Sequence, residues 1–203
     1  MADVLGIKIN DYMNLRAING TRILATRDIQ RILEMKYNEL KKDIQIIYVG
    51  DSKYEGYRRV ILNIPSESCG TQLYYTTVID ILTEGKAQVQ GSMYIKFFSN
   101  SPNFMFTYTY VYNKAGLLVE DYKKYLNKKA LKEAPKKRNP RQLIGIEKTI
   151  AFSILFIREV LRLNINKDVG KEPKRVPPTD MIVDMHAKLR KDKKCKEEKG
   201  FSF

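Results

Sequence analysis

Between residues 26 and 42 the apolar positions recur at helical spacing. Ile29, Ile32, Leu33, Tyr37 and Leu40 fall on one face and charged residues fill the other. This pattern predicts an amphipathic helix from about residue 27 to residue 42, with Thr26 as its N-cap. The chain before it reads as short helices interrupted by the turn signal Asn19-Gly20. The period then changes. Residues 44–49 and 57–64 read as strands around the loop Gly50-Asp51-Ser52, and 65–70 as a turn cluster. Residues 71–83 are rich in Tyr, Thr, Val and Ile, as strands are. With the compact turn Glu84-Gly85-Lys86 and a return strand over 87–98, they predict a long β-hairpin. Residues 104–112 alternate strictly, which predicts a further strand with Phe104, Phe106, Tyr108, Tyr110 and Tyr112 on one face.

Helical character returns after Gly116. Residues 120–132 carry Tyr122, Tyr125 and Leu126 among lysines, and Pro135 and Pro140 then exclude continuous helix between them. A long helix is predicted over 142–164. It is apolar on nearly every side around 150–157, so other structure must enclose it. Residues 171–178 form a proline-bearing linker, and a last short helix starts at Thr179. The expected architecture is α+β: an antiparallel meander of about five strands flanked by an N-terminal helix and a long, largely buried late helix. Residues 1–164 form a single domain that contains the basic segment 122–141. Residues 165–203 are expected to be an extended basic C-terminal arm.

Charge sharpens this picture. The net charge is +14, and residues 122–141 alone hold nine Lys or Arg against Glu133. Like charges packed so densely call for an anionic partner, although a solvated, solubilising surface has the same composition. The nine are Lys123, Lys124, Lys128, Lys129, Lys132, Lys136, Lys137, Arg138 and Arg141. Lysine outnumbers arginine, which favours phosphate contact over bidentate reading of guanine. No stretch reaches the roughly 18 uncharged apolar residues that span a bilayer. No basic and apolar leader opens the chain, so no signal peptide and no membrane are expected. Cys69 and Cys195 suggest neither a disulfide framework nor a C-x-x-C site, and on that ground a reducing, cytoplasmic setting is expected.

Candidate chemistry is sparse. The aromatic row suits base stacking, and equally the packing of a sheet against a helix. Its three tyrosines point to a wet interface, because a buried hydroxyl needs a partner. Asp51, Asp80, Glu84 and Lys86 resemble the carboxylates and E-x-K of metal-dependent nucleases, but Glu84 and Lys86 fall in a turn and Asp80 lies on the strand just before it. His186, the single histidine, has no second ligand near it in sequence. Phosphate loops, dinucleotide fingerprints, zinc-protease motifs and nucleophile elbows are absent, and no cofactor or metal is expected. Met181, Ile182, Met185 and Leu189 share one face of the last helix. With no core of its own, that face is expected to dock into a partner's groove.

These readings combine into a non-enzymatic structural subunit of a large assembly. A virus or bacteriophage head, neck or tail is the most economical example. Such a subunit would meet other protein subunits and touch DNA or RNA non-specifically through its basic segment. A free nucleic-acid-binding protein, regulatory in role, is the alternative. A small metal-dependent nuclease is the third reading. The location follows as cytoplasmic or within a virus particle.

Overall fold

The computed structural model describes residues 5–19, 22–23, 26–86, 88–162 and 164–192. Its centre is a six-stranded antiparallel sheet in the order β1-β7-β6-β5-β4-β8. The strands are β1 (Ile7–Lys8), β4 (Gln45–Asp51), β5 (Tyr57–Ser66), β6 (Gly70–Leu82), β7 (Tyr94–Ser99) and β8 (Val169–Gly170). A separate two-residue ladder joins β2 (Ile18–Asn19) to β3 (Arg22–Ile23). β5 and β6 pair along nearly their whole length, Tyr57 opposite Leu82 through to Ser66 opposite Gly70. On β4 an extra residue between Ile46 and Tyr48 shifts the register and bends the strand.

The middle strands are covered on both faces, so alternation is lost. Arg58 through Leu62 are all buried, as are Tyr75 through Ile81. Over one face lies α5 (Lys148–Val160). Thr77 on β6 meets Ser153 of α5 at 2.7 Å between hydroxyls, and Ser99 on β7 meets Thr149 at 2.8 Å. The helix α2 (Thr26–Leu40) packs on α5, bringing Tyr37 to Phe152 with ring centroids 6.5 Å apart. On the same side, the short α1 (Ile9–Met13) delivers Tyr12 against Phe97 at 5.0 Å. The opposite face is covered by a 3-10 turn, Glu120–Tyr125, which sets Tyr122 against Phe98 at 5.3 Å. The C-terminal segment completes that cover.

Several expectations change here. Residues 104–112 are not a strand. They form a π-helical turn, Phe104–Tyr108, that runs directly into α3 (Thr109–Lys114). The start is capped: the Phe104 N–H donates to Ser101 Oγ at 3.1 Å, and Pro102 follows at the first helical position. Spacing by two contains spacing by four. Phe104, Tyr108 and Tyr112 therefore share the buried face of a helix, while Phe106 is 45% exposed and Tyr110 half-buried.

The return strand expected over 87–98 is only Tyr94–Ser99. The turn at Glu84 (φ 48) and Gly85 (φ 79) leads into a loop rather than closing the hairpin. The helix expected over 120–132 breaks at Asn127, whose Oδ1 accepts from the Lys129 and Ala130 N–H groups and starts α4 (Lys128–Lys132). The late helix begins at Lys148 rather than 142, because Glu147 caps it by accepting from the Ile150 N–H at 3.0 Å.

The segment after residue 164 lies along the domain. Ile165 is fully buried, Val176 is 3% exposed and Ile182 is 2% exposed. β8 adds to the edge of β4, so closely that a Cβ on Gly170 would stand 2.2 Å from the Ile47 carbonyl oxygen. Asn100 Nδ2 donates to the Pro177 carbonyl at 2.9 Å, and α6 (Thr179–Lys191) rests against the start of β6. Residues 193–203, the end of the expected arm, lie outside the described residues.

Candidate nucleic-acid interface

The nine basic residues occupy three successive pieces of backbone. Lys123 and Lys124 sit on the 3-10 turn, Lys128, Lys129 and Lys132 on α4, and Lys136, Lys137, Arg138 and Arg141 in the proline-bounded stretch that follows. Lys123 is half-buried and the other eight are exposed. Their neutralisation is slight. Lys123 pairs with Glu120 at 2.5 Å and Lys129 with Glu133 at 3.8 Å, while Lys124 lies over the Tyr125 ring. Lys128, Lys132, Lys136, Lys137, Arg138 and Arg141 make no ion pair among the described residues.

Two asparagines hold this ribbon against the helical run 102–114. Asn113 Nδ2 donates to the Leu131 carbonyl at 3.2 Å and secures the end of α4. Asn139 is fully buried in the middle of the ribbon. Its Nδ2 donates to the Thr107 and Leu143 carbonyls at 3.3 and 2.8 Å, and its Oδ1 accepts from the Leu143 N–H at 3.0 Å. Gln142 closes the turn at φ 53, its N–H donating to the Asn139 carbonyl. These anchors fix the backbone that carries the cationic side chains to the helical run, which lowers the backbone entropy lost on binding an extended anion. Neither asparagine stands out in sequence. The one available cue is an uncharged residue between Arg138 and Pro140.

The aromatic row is divided by the helix. Phe104, Tyr108 and Tyr112 are core residues; Tyr108 and Tyr112 stack at 5.3 Å, and the Tyr112 hydroxyl donates to the Gly145 carbonyl. Burial raises the pKa values of both phenols, so they stay protonated donors. Phe106 and Tyr110 face the basic ribbon. The Arg138 guanidinium sits 5.6 Å from the Phe106 ring centre. Beside the two aromatics opens a cavity of about 370 Å³, also lined by Met105, Lys129, Pro135 and Lys136.

The carboxylates proposed for metal chemistry are held elsewhere. Asp80 and Arg59 are both fully buried and joined by two bonds, Nε to Oδ1 at 2.7 Å and Nη2 to Oδ2 at 2.8 Å. Arg59 also donates to Asp121 and Glu172, and its guanidinium lies over the Tyr122 ring. Burial alone would lower the Arg59 pKa; the bonds from Asp80, Asp121 and Glu172 reverse this and raise it. Burial likewise pushes Asp121 up, and Arg59 with Lys53 outweighs it, leaving that carboxyl below its ordinary range. Asp51 binds Arg58 at 2.7 Å, and Glu84 and Lys86 are exposed in their turn. Among the described residues no three His, Cys, Asp or Glu side chains converge as metal ligands.

Ile182 is buried against Cys69, Leu73 and Tyr75 of its own chain, with Met185 and Leu189 half-buried beside it, while Met181 is 54% exposed. The face assigned to a partner's groove is thus largely occupied internally. His186 Nε2 lies 3.1 Å from Ser68 Oγ. Cys69 is buried, with its Sγ 3.9 Å from Ser68 Oγ. Cys195 lies outside the described residues. Among the described residues no helix is long and apolar enough to cross a membrane. No protein-family model, curated protein or solved structure matches the chain.

Proposed function

We propose that this protein is a non-enzymatic structural subunit of a large assembly, with a virus or bacteriophage particle as the most economical setting, and that it contacts nucleic acid through residues 123–141. The observation that carries the reading is the ribbon itself. Six exposed cations without acidic partners among the described residues lie on backbone pinned at Asn113 and Asn139. A segment kept only for solubility gains nothing from a buried asparagine at its centre. Subunit contact is supported by Leu143 and Ile144, 37% and 41% exposed, which continue the ribbon past Arg141. The nuclease reading loses support because Asp80 and Asp51 are engaged by arginines. A free nucleic-acid-binding protein uses the same ribbon and differs in oligomeric state.

The test is the triple substitution K136E/K137E/R138E. Each phosphate contact removed lowers the slope of log K against log salt by about 0.9 for duplex DNA. Binding equal to the parent at every salt concentration would reduce the ribbon to a solvated surface. Size-exclusion chromatography with light scattering, with and without DNA, separates the two readings. Self-assembly without DNA favours the subunit, and a monomer that gains mass only with DNA favours the free binder.

A further inference from the structure

We infer that the cleft beside Phe106 and Tyr110 takes unpaired nucleobases, so that the ligand of the basic ribbon is a single-stranded nucleic acid rather than a duplex. The inference rests on the ribbon's being a nucleic-acid contact and adds what the ribbon selects.

An exposed phenylalanine on a helix that buries its other aromatics calls for a reason. Phe106 is 45% exposed, whereas Phe104, Tyr108 and Tyr112 are fully buried one helical face away. Tyr110 follows Phe106 at the spacing that puts two side chains on one helix face. Between them and the ribbon lies the cavity of about 370 Å³, near the lower end of the roughly 300–1,000 Å³ typical of small-molecule sites. Its wall is mixed: the two rings, Met105 and Pro135 are apolar, and Lys129 and Lys136 stand at its margin. Of the two acids that line it, Glu133 pairs with Lys129 at 3.8 Å, and Asp180 accepts from the neutral Asn127 Nδ2 at 3.2 Å and keeps its charge, against which Lys136 stands on the same wall. Arg138 over Phe106 adds a cationic plane to the aromatic one.

A base in this cleft would leave its phosphates level with Lys136, Lys137 and Arg138. Aromatic faces beside a backbone-tracking basic groove are the means by which proteins hold single strands, because every base offers a π-face once it is unpaired. In a duplex those faces are stacked on each other, and only the phosphate contacts remain. The selection is therefore by strandedness and not by sequence, in keeping with a ribbon in which lysine outnumbers arginine.

The chain contains no tryptophan, so F106W places a single indole in the cleft. The probes are a mixed-sequence 20-nucleotide DNA strand, the same strand as RNA, and the DNA duplex. The expected result is quenching of F106W by one or both single strands and not by the duplex; the DNA and RNA arms show which sugar is taken. F106A and Y110A, followed by anisotropy, should each lose roughly tenfold in single-strand affinity, with the salt slope and duplex binding unchanged. Because Phe106 is exposed, F106L serves as a second variant that keeps apolar bulk and should lose nearly as much as F106A. Single-strand binding unaffected in all three variants overturns the cleft while leaving the ribbon intact. Binding of no nucleic acid by the full-length parent at low salt overturns the ribbon and the cleft together. Equal quenching by strand and duplex overturns the selectivity.

Discussion

Replacing Arg59 with methionine isolates the largest buried electrostatic commitment in the fold. Arg59 donates to four side chains: Asp80 twice, Asp121 twice, Glu172 and Ser52. Their fates differ once the guanidinium is gone. Asp121 and Glu172 have side chains 20% and 31% exposed, and Asp121 keeps Lys53 at 3.4 Å, so water and lysine take over part of the load. Asp80 is 0% exposed and would be left with the Ser52 hydroxyl at 2.9 Å as its only side-chain donor among the described residues. Removing one partner of a buried pair costs about 3–5 kcal/mol, most of it the stranded charge. Against a total stability on the order of 5–15 kcal/mol, that is a severe loss. In thermal unfolding it corresponds to a fall in Tm of roughly 6–20 °C for a chain of this size.

The sign of the pH dependence is an internal check. Burial already holds Asp80 above its ordinary pKa against the lowering effect of Arg59 and Ser52, and loss of Arg59 raises it further, so folding favours the protonated acid. The penalty is then full above the raised pKa and relieved as pH falls through it. R59M/D80L should recover about 2 kcal/mol or more relative to R59M, since no charge is left stranded on β6. The assay is urea denaturation of parent, both single variants and the double variant across acid to neutral pH. A loss under about 1 kcal/mol for R59M, or no recovery in the double variant, would refute the assignment of the cost to Asp80.

Two further outcomes follow from the same reasoning. Glu147 is fully buried, and burial raises its pKa against the donors Ser101, Thr149 and Ile150; parent stability is therefore reduced as pH rises through that raised value. E147Q should gain stability relative to the parent as pH increases, and a pH-independent difference in denaturation midpoints would contradict this. A chain ending at Asn166 loses β8, Glu172, Val176 and Ile182 and should unfold or melt more than ten degrees lower. I182A alone should cost about 2–5 kcal/mol by calorimetry, and a truncated chain that melts like the parent would show that residues 167–192 contribute nothing to the core.

The antiparallel sheet was legible where turn residues and β-branched runs coincide, as from Tyr57 to Leu82. What misled was periodicity shared by two structures. Phe104 to Tyr112 satisfies a strand at every second residue and a helix at every fourth, and β-propensity weighed for the strand. Ser101-Pro102 carried the deciding cap, and its position before an aromatic run masked it. Helix starts at Asn127 and Glu147 were hidden by apolar or lysine-rich stretches that run through them. The basic ribbon could be read residue by residue because charge density needs no tertiary context. Its anchors, Asn113 and Asn139, could not, since a buried side-chain amide is indistinguishable in sequence from a loop asparagine. The same holds for residues 165–182. A polar, proline-bearing composition suggests an arm, yet Ile165, Val176, Thr179 and Ile182 at wide intervals suffice to bind it to the sheet.

Arg59 meets Asp80 after 21 residues of chain and Glu172 only after 113. Both partners of the charged pair on β5 and β6 therefore leave the ribosome long before the segment that covers them has been synthesised. That face of the sheet is covered in two steps, first by Tyr122 of the 3-10 turn against Phe98 and afterwards by the segment that carries Glu172. The segment around Glu172 closes that face after the strands have paired, so its arrival rather than the pairing of the strands completes the described fold.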